Sequence, residues 1–212
     1  MAKEGRVELL RGAHVSLREM DEDDAQLVVA WRNSPESRKW LIQWEPLTVD
    51  VHLEWFRVAK QRGELLIMFD ALDGEPVATG SVYDFDRPKT SGQWGRLCGA
   101  QVGRHPHSIL EAFYLVQRLC FEALGMVRLH GELVSENQRS DRLCEFFGYV
   151  KEGLRRKHWA HPGGYYDVIQ IGIFPEEFEA QRKNVEAKLY LETAPPEITV
   201  EDVKRIRAIL GR

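Results

Sequence analysis

The chain has 212 residues, of which 43% are hydrophobic and 29% charged, and its formal net charge is -4. This length and composition predict one globular domain that can bury a core without metals or disulfides. The acidic balance excludes a general basic field for nucleic acid, and no apolar run approaches the roughly 20 residues that a membrane helix needs.

The N-terminus and the cysteines indicate the compartment. Residues 1–5 contain no hydrophobic stretch of the kind that begins a signal peptide. Cys98, Cys120 and Cys144 are odd in number and widely spaced, which indicates neither a zinc site nor a disulfide framework. We therefore expect a cytoplasmic protein without a bound metal, and with neither nucleic acid nor membrane as a partner.

The first third of the chain predicts one strand and two helices. The strand covers residues 15–17, where apolar and polar residues alternate. The acidic run 21–24 begins a helix, since carboxylates suit the positive end of the helix dipole, and residues 33–35 end it. Apolar residues at helical spacing then predict a second helix from Thr48 to near Gly63.

The middle of the chain is rich in strands. Asp73-Gly74 is a hairpin turn signal, and residues 87–92 form a loop. The three strands predicted around these turns cover residues 65–69, 76–85 and 93–102.

Further along, the pattern becomes helical again. Apolar residues step by three or four between Gly103 and Gly125, and the second glycine ends this amphipathic helix. A short helix runs from Asn137 to Phe147 and is closed by Gly148. The strands around it cover residues 127–134, 149–154 and 165–174. The complete order of elements predicts an α/β (α+β) fold with helices on the faces of a mixed sheet.

The last 37 residues differ in composition. Residues 176–212 are dominated by Glu, Lys and Arg, and we interpret them as a charged helical extension of a domain over residues 1–175. An apolar stripe marks the last helix, formed by Val203, Ile206, Ile209 and Leu210. The stripe predicts a helix docked on its own domain, and a homodimer contact is the alternative.

The most specific pattern lies between Ser135 and Tyr149. It reads N-x-x-S-x-x-L-x-E-x-x-G-[FY], beginning at Asn137, and resembles the second CoA-contacting motif of the GNAT superfamily of N-acetyltransferases. Residues 121–129 resemble the join between that family's main helix and the next strand, and residues 165–168 resemble its last strand.

The resemblance covers roughly residues 13–175 and implies both a fold and an activity. The implied fold is a GNAT-like mixed, mostly antiparallel central sheet of six or seven strands, flanked by about four helices. The implied activity is acetyl transfer from acetyl-CoA, as co-substrate, to an amine.

The N-terminal segments are similar to two subgroups of that superfamily. These segments are residues 17–19, 30–33 and 52–56. One subgroup acetylates amino groups on nucleotide-linked sugars, and the other acetylates ribosomal-protein N-termini. The Trp-Arg-Asn and His-x-x-Trp-Phe spacings favour the sugar subgroup, although their aromatic residues also suit a core.

The family's pyrophosphate loop, Q/R-x-x-G-x-G/A, aligns with residues 104–109. Small residues in such a loop let backbone N–H groups face the phosphates. His107 and Ile109 stand where the small residues are expected, and Pro106 removes one N–H donor. Either Arg104, His105 and His107 contact phosphate through their side chains, or the loop no longer binds CoA.

The candidate CoA-binding residues include this loop, the strand before it and the motif after it. They are Gln101, Val102, Gly103, Arg104, His105, His107, Ser108, Ile109, Asn137 and Ser140. For Asn137 the alternative is a helix cap with Ser140 in the first turn, and both roles are compatible.

Candidate catalytic residues lie on the strand 127–134 and in the motif. Alternation places His130 and Glu132 on one face of the strand, and amine acetylation needs a base to remove a proton. Glu132 matches a position used as a base in some ribosomal-protein acetyltransferases. Many family members have Tyr where this chain has Cys144, which makes Cys144 the candidate acid. The alternative for His130 and Glu132 is an ordinary polar face of the strand, and the alternative for Cys144 is a small buried hydrophobic residue.

The residues that bind the acceptor amine are predicted from the chemistry of their side chains alone. Aromatic and Arg side chains suit a nucleotide-linked amino sugar, and the candidates are Trp31, Arg32, Tyr83, His158 and Tyr165. We therefore predict direct acetyl transfer to a small-molecule primary amine. The alternatives are a protein N-terminal or polyamine acetyltransferase, or an inactive GNAT-fold binding protein.

Overall fold

One eight-stranded sheet runs through the computed structural model, which describes residues 6–41, 43–86, 90–99 and 106–211. The strands are β1 (Glu8–Arg11), β2 (Val15–Glu19), β3 (Leu65–Ala71), β4 (Pro76–Tyr83), β5 (Ser91–Gly99), β6 (Arg128–Val134), β7 (Val150–His161) and β8 (Gly164–Ile173). The helices are α1 (Ala25–Asn33), α2 (Pro35–Arg38), α3 (Val49–Gln61), α4 (Pro106–Arg118), α5 (Gln138–Phe146), α6 (Pro175–Leu189) and α7 (Val200–Ile209).

The strands lie in the order β1-β2-β3-β4-β5-β6-β8-β7. All neighbouring pairs are antiparallel except β5 and β6, which run parallel. A parallel pair needs a crossover connection, and α4 provides it. The predicted mixed, mostly antiparallel α/β fold is therefore confirmed. The described residues form eight strands and seven helices, more than the six or seven strands and about four helices expected, and β1 is a strand that the sequence pattern did not indicate.

The sheet separates two layers of core. On β3, Leu66 and Met68 pack on one face with residues of α1 and α3. Leu65, Ile67 and Phe69 point to the opposite face, where α4 lies. Helix α4 is buried on almost all sides, because α6 and the chain around β1 cover the surface that the sheet leaves open.

Several predicted boundaries shift for local reasons. Residues 22–24 form a 3₁₀ turn before α1. Pro35 begins α2 as well as following α1, since the Ser34 hydroxyl caps the new helix by accepting from the Ser37 amide at 3.2 Å. Strand β7 extends to His161 because it pairs with β8 in a long hairpin, with an irregularity at Lys157, whose φ is 50°.

The C-terminal helices contribute to the main core. Ile206 and Leu210 of α7 are 0% and 4% exposed and belong to the same hydrophobic cluster as α4. From α6, Phe178, Val185 and Leu189 join that cluster. The apolar stripe of α7 thus faces its own domain, and an independent domain over residues 1–175 stays a prediction. No helix in the described ranges is long and apolar enough to cross a membrane.

The variant Ile206→Ala is expected to lower the free energy of unfolding by about 2–4 kcal/mol, because it leaves a cavity in a closed part of the core. Urea denaturation followed by circular dichroism measures this. Val200→Ala is the matched control, since Val200 is 73% exposed at the start of the same helix. Equal stabilities of the two variants would show that α7 does not hold the core together.

Candidate active site

The site begins where β5 and β6 separate. The two strands pair only from Ser91 opposite Arg128 to Gln93 opposite His130. Beyond Gln93, β5 follows β4, whereas β6 follows β8 as far as Val134. A groove of about 1530 Å³ opens along the diverging strands and is lined by residues of both.

A bulge accompanies this separation. The register between β4 and β5 shifts around Arg96, whose φ of 57° is unusual for a residue with a side chain. Bulges bend a strand and increase its twist, which turns β5 away from β6. Gly80 lies beside the bulge, and a Cβ there would collide with the ring of Trp94.

The groove has two ends with different lining. The α5 end contains Ile109, Phe113, Asn137, Ser140 and Cys144. The α1 end contains Trp31, Arg32, His52, Trp55 and Tyr83. Glu132 lines the groove as well, on β6. The fold therefore brings residues of α1, α3, α4, α5, β4, β5 and β6, among others, around one cavity.

The α5 end receives part of the predicted CoA set. Asn137 caps α5, because its side-chain oxygen accepts from the Ser140 amide at 3.2 Å. Ile109 is 4% exposed and forms an apolar wall with Phe113. Gln101, Val102, Gly103, Arg104 and His105 lie outside the described residues.

The two other predicted loop residues are directed elsewhere. The hydroxyl of Ser108 donates to the carbonyl of His14 at 2.8 Å, and Ser108 is buried. His107 is exposed, with its ring 5.4 Å from the ring of His14. Neither side chain lines the groove, so any contact that they make with CoA would come from the backbone or from the groove's outer edge.

Glu132 and His130 occupy different surroundings, although they share a strand. Glu132 lines the groove, where one of its carboxylate oxygens forms an ion pair with Arg155 at 2.7 Å. The second oxygen remains available, since a carboxylate has about four lone-pair sites. His130 is half-buried and does not line the groove. Burial, and then the charge of Arg128, lowers the pKa of His130, which keeps its ring neutral at physiological pH.

Cys144 faces the groove as a neutral thiol. It is 9% exposed, and burial raises its pKa to about 12, with Asp141 and Glu145 adding to the effect. Burial likewise raises the pKa of Cys98 to about 11. Thiols with such pKa values are protonated at neutral pH and are poor nucleophiles.

All three cysteines are buried, so the folded protein is expected to react slowly with Ellman's reagent at pH 8. Guanidinium should release three thiols, one for each cysteine of the sequence. Rapid native modification of one thiol, located at Cys144 by peptide mass mapping, would show that this thiol is accessible and acidic.

The predicted acceptor residues divide into two groups. Trp31, Arg32 and Tyr83 line the α1 end of the groove. His158 and Tyr165 lie on the β7–β8 hairpin and are absent from the lining that the described residues form. Tyr165 is 67% exposed, and the His158 ring is 3.3 Å from the Arg155 guanidinium.

Sequence reasoning missed several residues of the α1 end. His52 and Trp55 belong to a segment that resembles a subgroup of the family, but the sequence did not predict them as site residues. No feature of the sequence indicated Arg96. The ring centroids of His52 and Trp55 are 5.3 Å apart. The Arg96 guanidinium lies 3.6 Å from the centre of the Tyr83 ring and forms an ion pair with Glu64.

Ionisation at this end is shaped by burial. Burial, and then the charge of Arg32, lowers the pKa of His52 to about 4, so the ring is neutral in the folded protein. Burial raises the pKa of Tyr83 to about 12. In the part of the chain that the structure describes, no group of three or more His, Cys, Asp or Glu residues is placed to hold a metal ion.

Comparison with known proteins identifies relatives of this chain. The model of the acetyltransferase (GNAT) domain matches residues 14–150. An SPbeta prophage-derived uncharacterised N-acetyltransferase of Bacillus subtilis, YokL, is 31% identical over 127 residues, which cover 59% of this chain and 71% of the relative.

Solved structures show the same fold at lower identity. A GCN5-related N-acetyltransferase from Brucella melitensis has a TM-score of 0.70 at 21% identity, covering 93% of each chain. The spermidine N-acetyltransferase from Vibrio cholerae, in complex with CoA and spermine, has a TM-score of 0.71 at 16% identity. That match covers 78% of this chain and 98% of the Vibrio protein.

Proposed function

The chain belongs to the acetyltransferase (GNAT) family, and from this premise we propose that it transfers an acetyl group from acetyl-CoA directly to the primary amine of a nucleotide-linked amino sugar. The observation that carries this proposal is the groove between β5 and β6, with Glu132 on its wall. Its volume of about 1530 Å³ exceeds the roughly 300–1,000 Å³ of a site for one small ligand. Two substrates can therefore bind side by side.

The α5 end fits the pantetheine arm and the thioester. Acetyl-CoA supplies the acetyl group as a thioester. Ile109 and Phe113 offer apolar surface to a flexible chain, and Asn137 lies at the start of α5, where backbone N–H groups face outward. Backbone groups of β5 beyond Gln93 have no partner on β6, so they are free to polarise the thioester carbonyl.

Glu132 acts as the general base in this proposal. The acceptor amine arrives as an ammonium ion and must lose a proton before it can attack. Arg155 forms an ion pair with one carboxylate oxygen of Glu132, and in this proposal the other oxygen takes the proton. His130 is neutral but does not line the groove, so in this proposal Glu132 and not His130 removes the proton from the amine.

Cys144 contributes a neutral S–H beside the α5 end. Its raised pKa makes a thiolate nucleophile unfavourable, which supports direct transfer over an acetyl-cysteine intermediate. A weak S–H donor is sufficient near the departing CoA thiolate, since that thiolate is a good leaving group.

The α1 end supports the choice of acceptor. Trp31, Trp55 and Tyr83 give it aromatic surface for a sugar or base, and Arg32 gives it a positive charge. A polyamine acceptor would favour carboxylates there; the residues that α1, α3 and β4 contribute to the lining include none, although Glu36 of α2 lines the groove as well. The likeness to the Vibrio cholerae enzyme, at 16% identity, concerns the fold alone.

The proposal is tested in two steps. Thermal unfolding with acetyl-CoA is expected to show saturable stabilisation, about 2.7 kcal/mol at a hundredfold excess over Kd. Release of free CoA is then followed with a nucleotide-linked amino sugar, spermidine and a short peptide as acceptors. No stabilisation at millimolar acetyl-CoA would overturn CoA binding, and turnover with spermidine or peptide alone would overturn the acceptor.

A further inference from the structure

A small cavity of about 20 Å³ adjoins the α1 end of the groove. It has room for one water molecule. Four residues line both the cavity and the groove, namely Arg32, His52, Trp55 and Arg96. The cavity is therefore continuous in its lining with the α1 end, and it lies between α1, α3 and the bulge of β5.

The two arginines at this place differ in their partners. Arg96 is compensated, because it pairs with Glu64 and lies against the faces of Tyr83 and Trp55. Arg32 forms no ion pair with any carboxylate in the described ranges. Burial lowers the pKa of Arg32, and the charge of Arg96 lowers it further. Such a guanidinium is costly unless an anion reaches it.

Two buried polar atoms line the same cavity without a partner. They are Nε2 of His52 and Oγ of Ser81, on residues that are each 2% exposed. Buried polar atoms are normally satisfied, so these two atoms indicate that the cavity accommodates an oxygen atom, either of a water molecule or of a bound anion. The neighbouring apolar residues Met20, Val28 and Leu66 cannot provide it.

We infer that Arg32, with His52 and Arg96 beside it, forms a subsite for an oxyanion, a carboxylate or a phosphate ester, carried by the acceptor amine. This inference rests on the proposed acetyl transfer, since it places the acceptor in that groove. The planar guanidinium of Arg32 binds two oxygens of one anion, and the neutral His52 ring binds a third oxygen or a bridging water. The same charge disfavours polyamines, because their ammonium groups are repelled by the unpaired Arg32.

Binding measurements test the subsite without turnover. The protein is first saturated with CoA, so that the CoA phosphate sites are filled. Calorimetric titrations then compare glucosamine 6-phosphate with glucosamine, and tyrosine with tyramine, which distinguishes a phosphate from a carboxylate site. In at least one pair the anionic amine is expected to bind about tenfold more tightly or better.

Variants assign that preference to Arg32. In Arg32→Gln the affinities for the anionic and the neutral amine are expected to differ by no more than about threefold. Arg32→Lys should retain part of the preference, because lysine keeps the positive charge but lacks the planar guanidinium that binds two oxygens. Arg142→Gln is the matched control, an exposed arginine on α5 outside the groove lining, and it should keep the preference. Arg32→Gln should also leave the Tm unchanged or raised, since it removes an uncompensated charge.

The outcomes separate this inference from the proposed function. Equal binding within both pairs, no binding of any probe, or a preference that persists in Arg32→Gln overturns the subsite. A lower Tm of Arg32→Gln together with an unchanged preference assigns Arg32 a structural role and also overturns it. An Arg32-dependent preference without CoA release from any amine supports the subsite and overturns acetyl transfer.

Discussion

The variant Glu132→Gln is expected to lower kcat by about 10²–10⁴-fold, the usual contribution of a general base. Glutamine preserves the shape of the side chain and keeps an oxygen beside Arg155, but it cannot take a proton. The KM for acetyl-CoA should change little, because Glu132 acts on the amine. Steady-state release of CoA measures both constants. The residual rate should rise with pH, as more of the acceptor amine becomes deprotonated.

Two controls separate the loss of a base from the loss of a charge or an ion pair. Glu145→Gln removes a carboxylate from the exposed side of α5, where it pairs with Lys151 at 3.0 Å, and should leave kcat nearly unchanged. Arg155→Met removes the partner of Glu132 and keeps the carboxylate, so a few-fold effect is expected. Unchanged turnover in Glu132→Gln would make the assignment of Glu132 as the base wrong.

The largest expected effect on stability belongs to Glu111. This carboxylate is 0% exposed on α4 and accepts from the amides of Ala13, His14 and Val15 at 2.8, 2.6 and 3.0 Å. It thus joins α4 to the turn before β2. Glu111→Ala leaves all three N–H groups without a partner and is expected to lower the free energy of unfolding by about 3–5 kcal/mol.

Chemical denaturation of the variants Glu111→Ala, Glu111→Gln and Glu192→Ala measures the loss of stability. Glu111→Gln keeps one accepting oxygen and introduces an NH₂ group that faces the amides, so its loss should be smaller than that of the alanine variant. Glu192→Ala is the control at an exposed carboxylate, expected within about 0.5 kcal/mol of the unaltered protein. If all three variants unfold at the same denaturant concentration, the hydrogen bonds between Glu111 and the three amides do not contribute to stability.

The fold could be predicted from local patterns because each element carries its own signals. Thr48 and Asn137 cap helices that begin one residue later, as their side chains accept from amides within the first turn. Gly125 and Gly148 end helices with φ of 68° and 87°, a conformation that favours glycine. Strand β1 was missed since four residues give too short an alternation.

The candidate site was predicted only in part, and the reason is physical. Alternation along β6 correctly separates the half-buried face of Glu132 from the buried face of Leu133, but it cannot say which half-buried residue meets a cavity. The sequence predicts Glu132 as the base with His130 beside it, and of these two residues only Glu132 lines the groove. His158 and Tyr165 were chosen for their chemistry, although the hairpin carries them away from the groove lining.

The sequence by itself determined the class of fold, most helix ends and the resemblance to an acetyltransferase, because these depend on residues that are close together in the chain. The tertiary structure alone decided the ion pair of Arg155 with Glu132, the burial of His52, and the meeting of Arg32 with Arg96 at one cavity. Arg155 and Glu132, like Arg32 and Arg96, are 20 or more positions apart in the chain, and the bulge in β5 lies at Arg96. The charge and burial of these residues depend on which distant elements pack together, and the hydrophobic periodicity of each segment does not predict that packing.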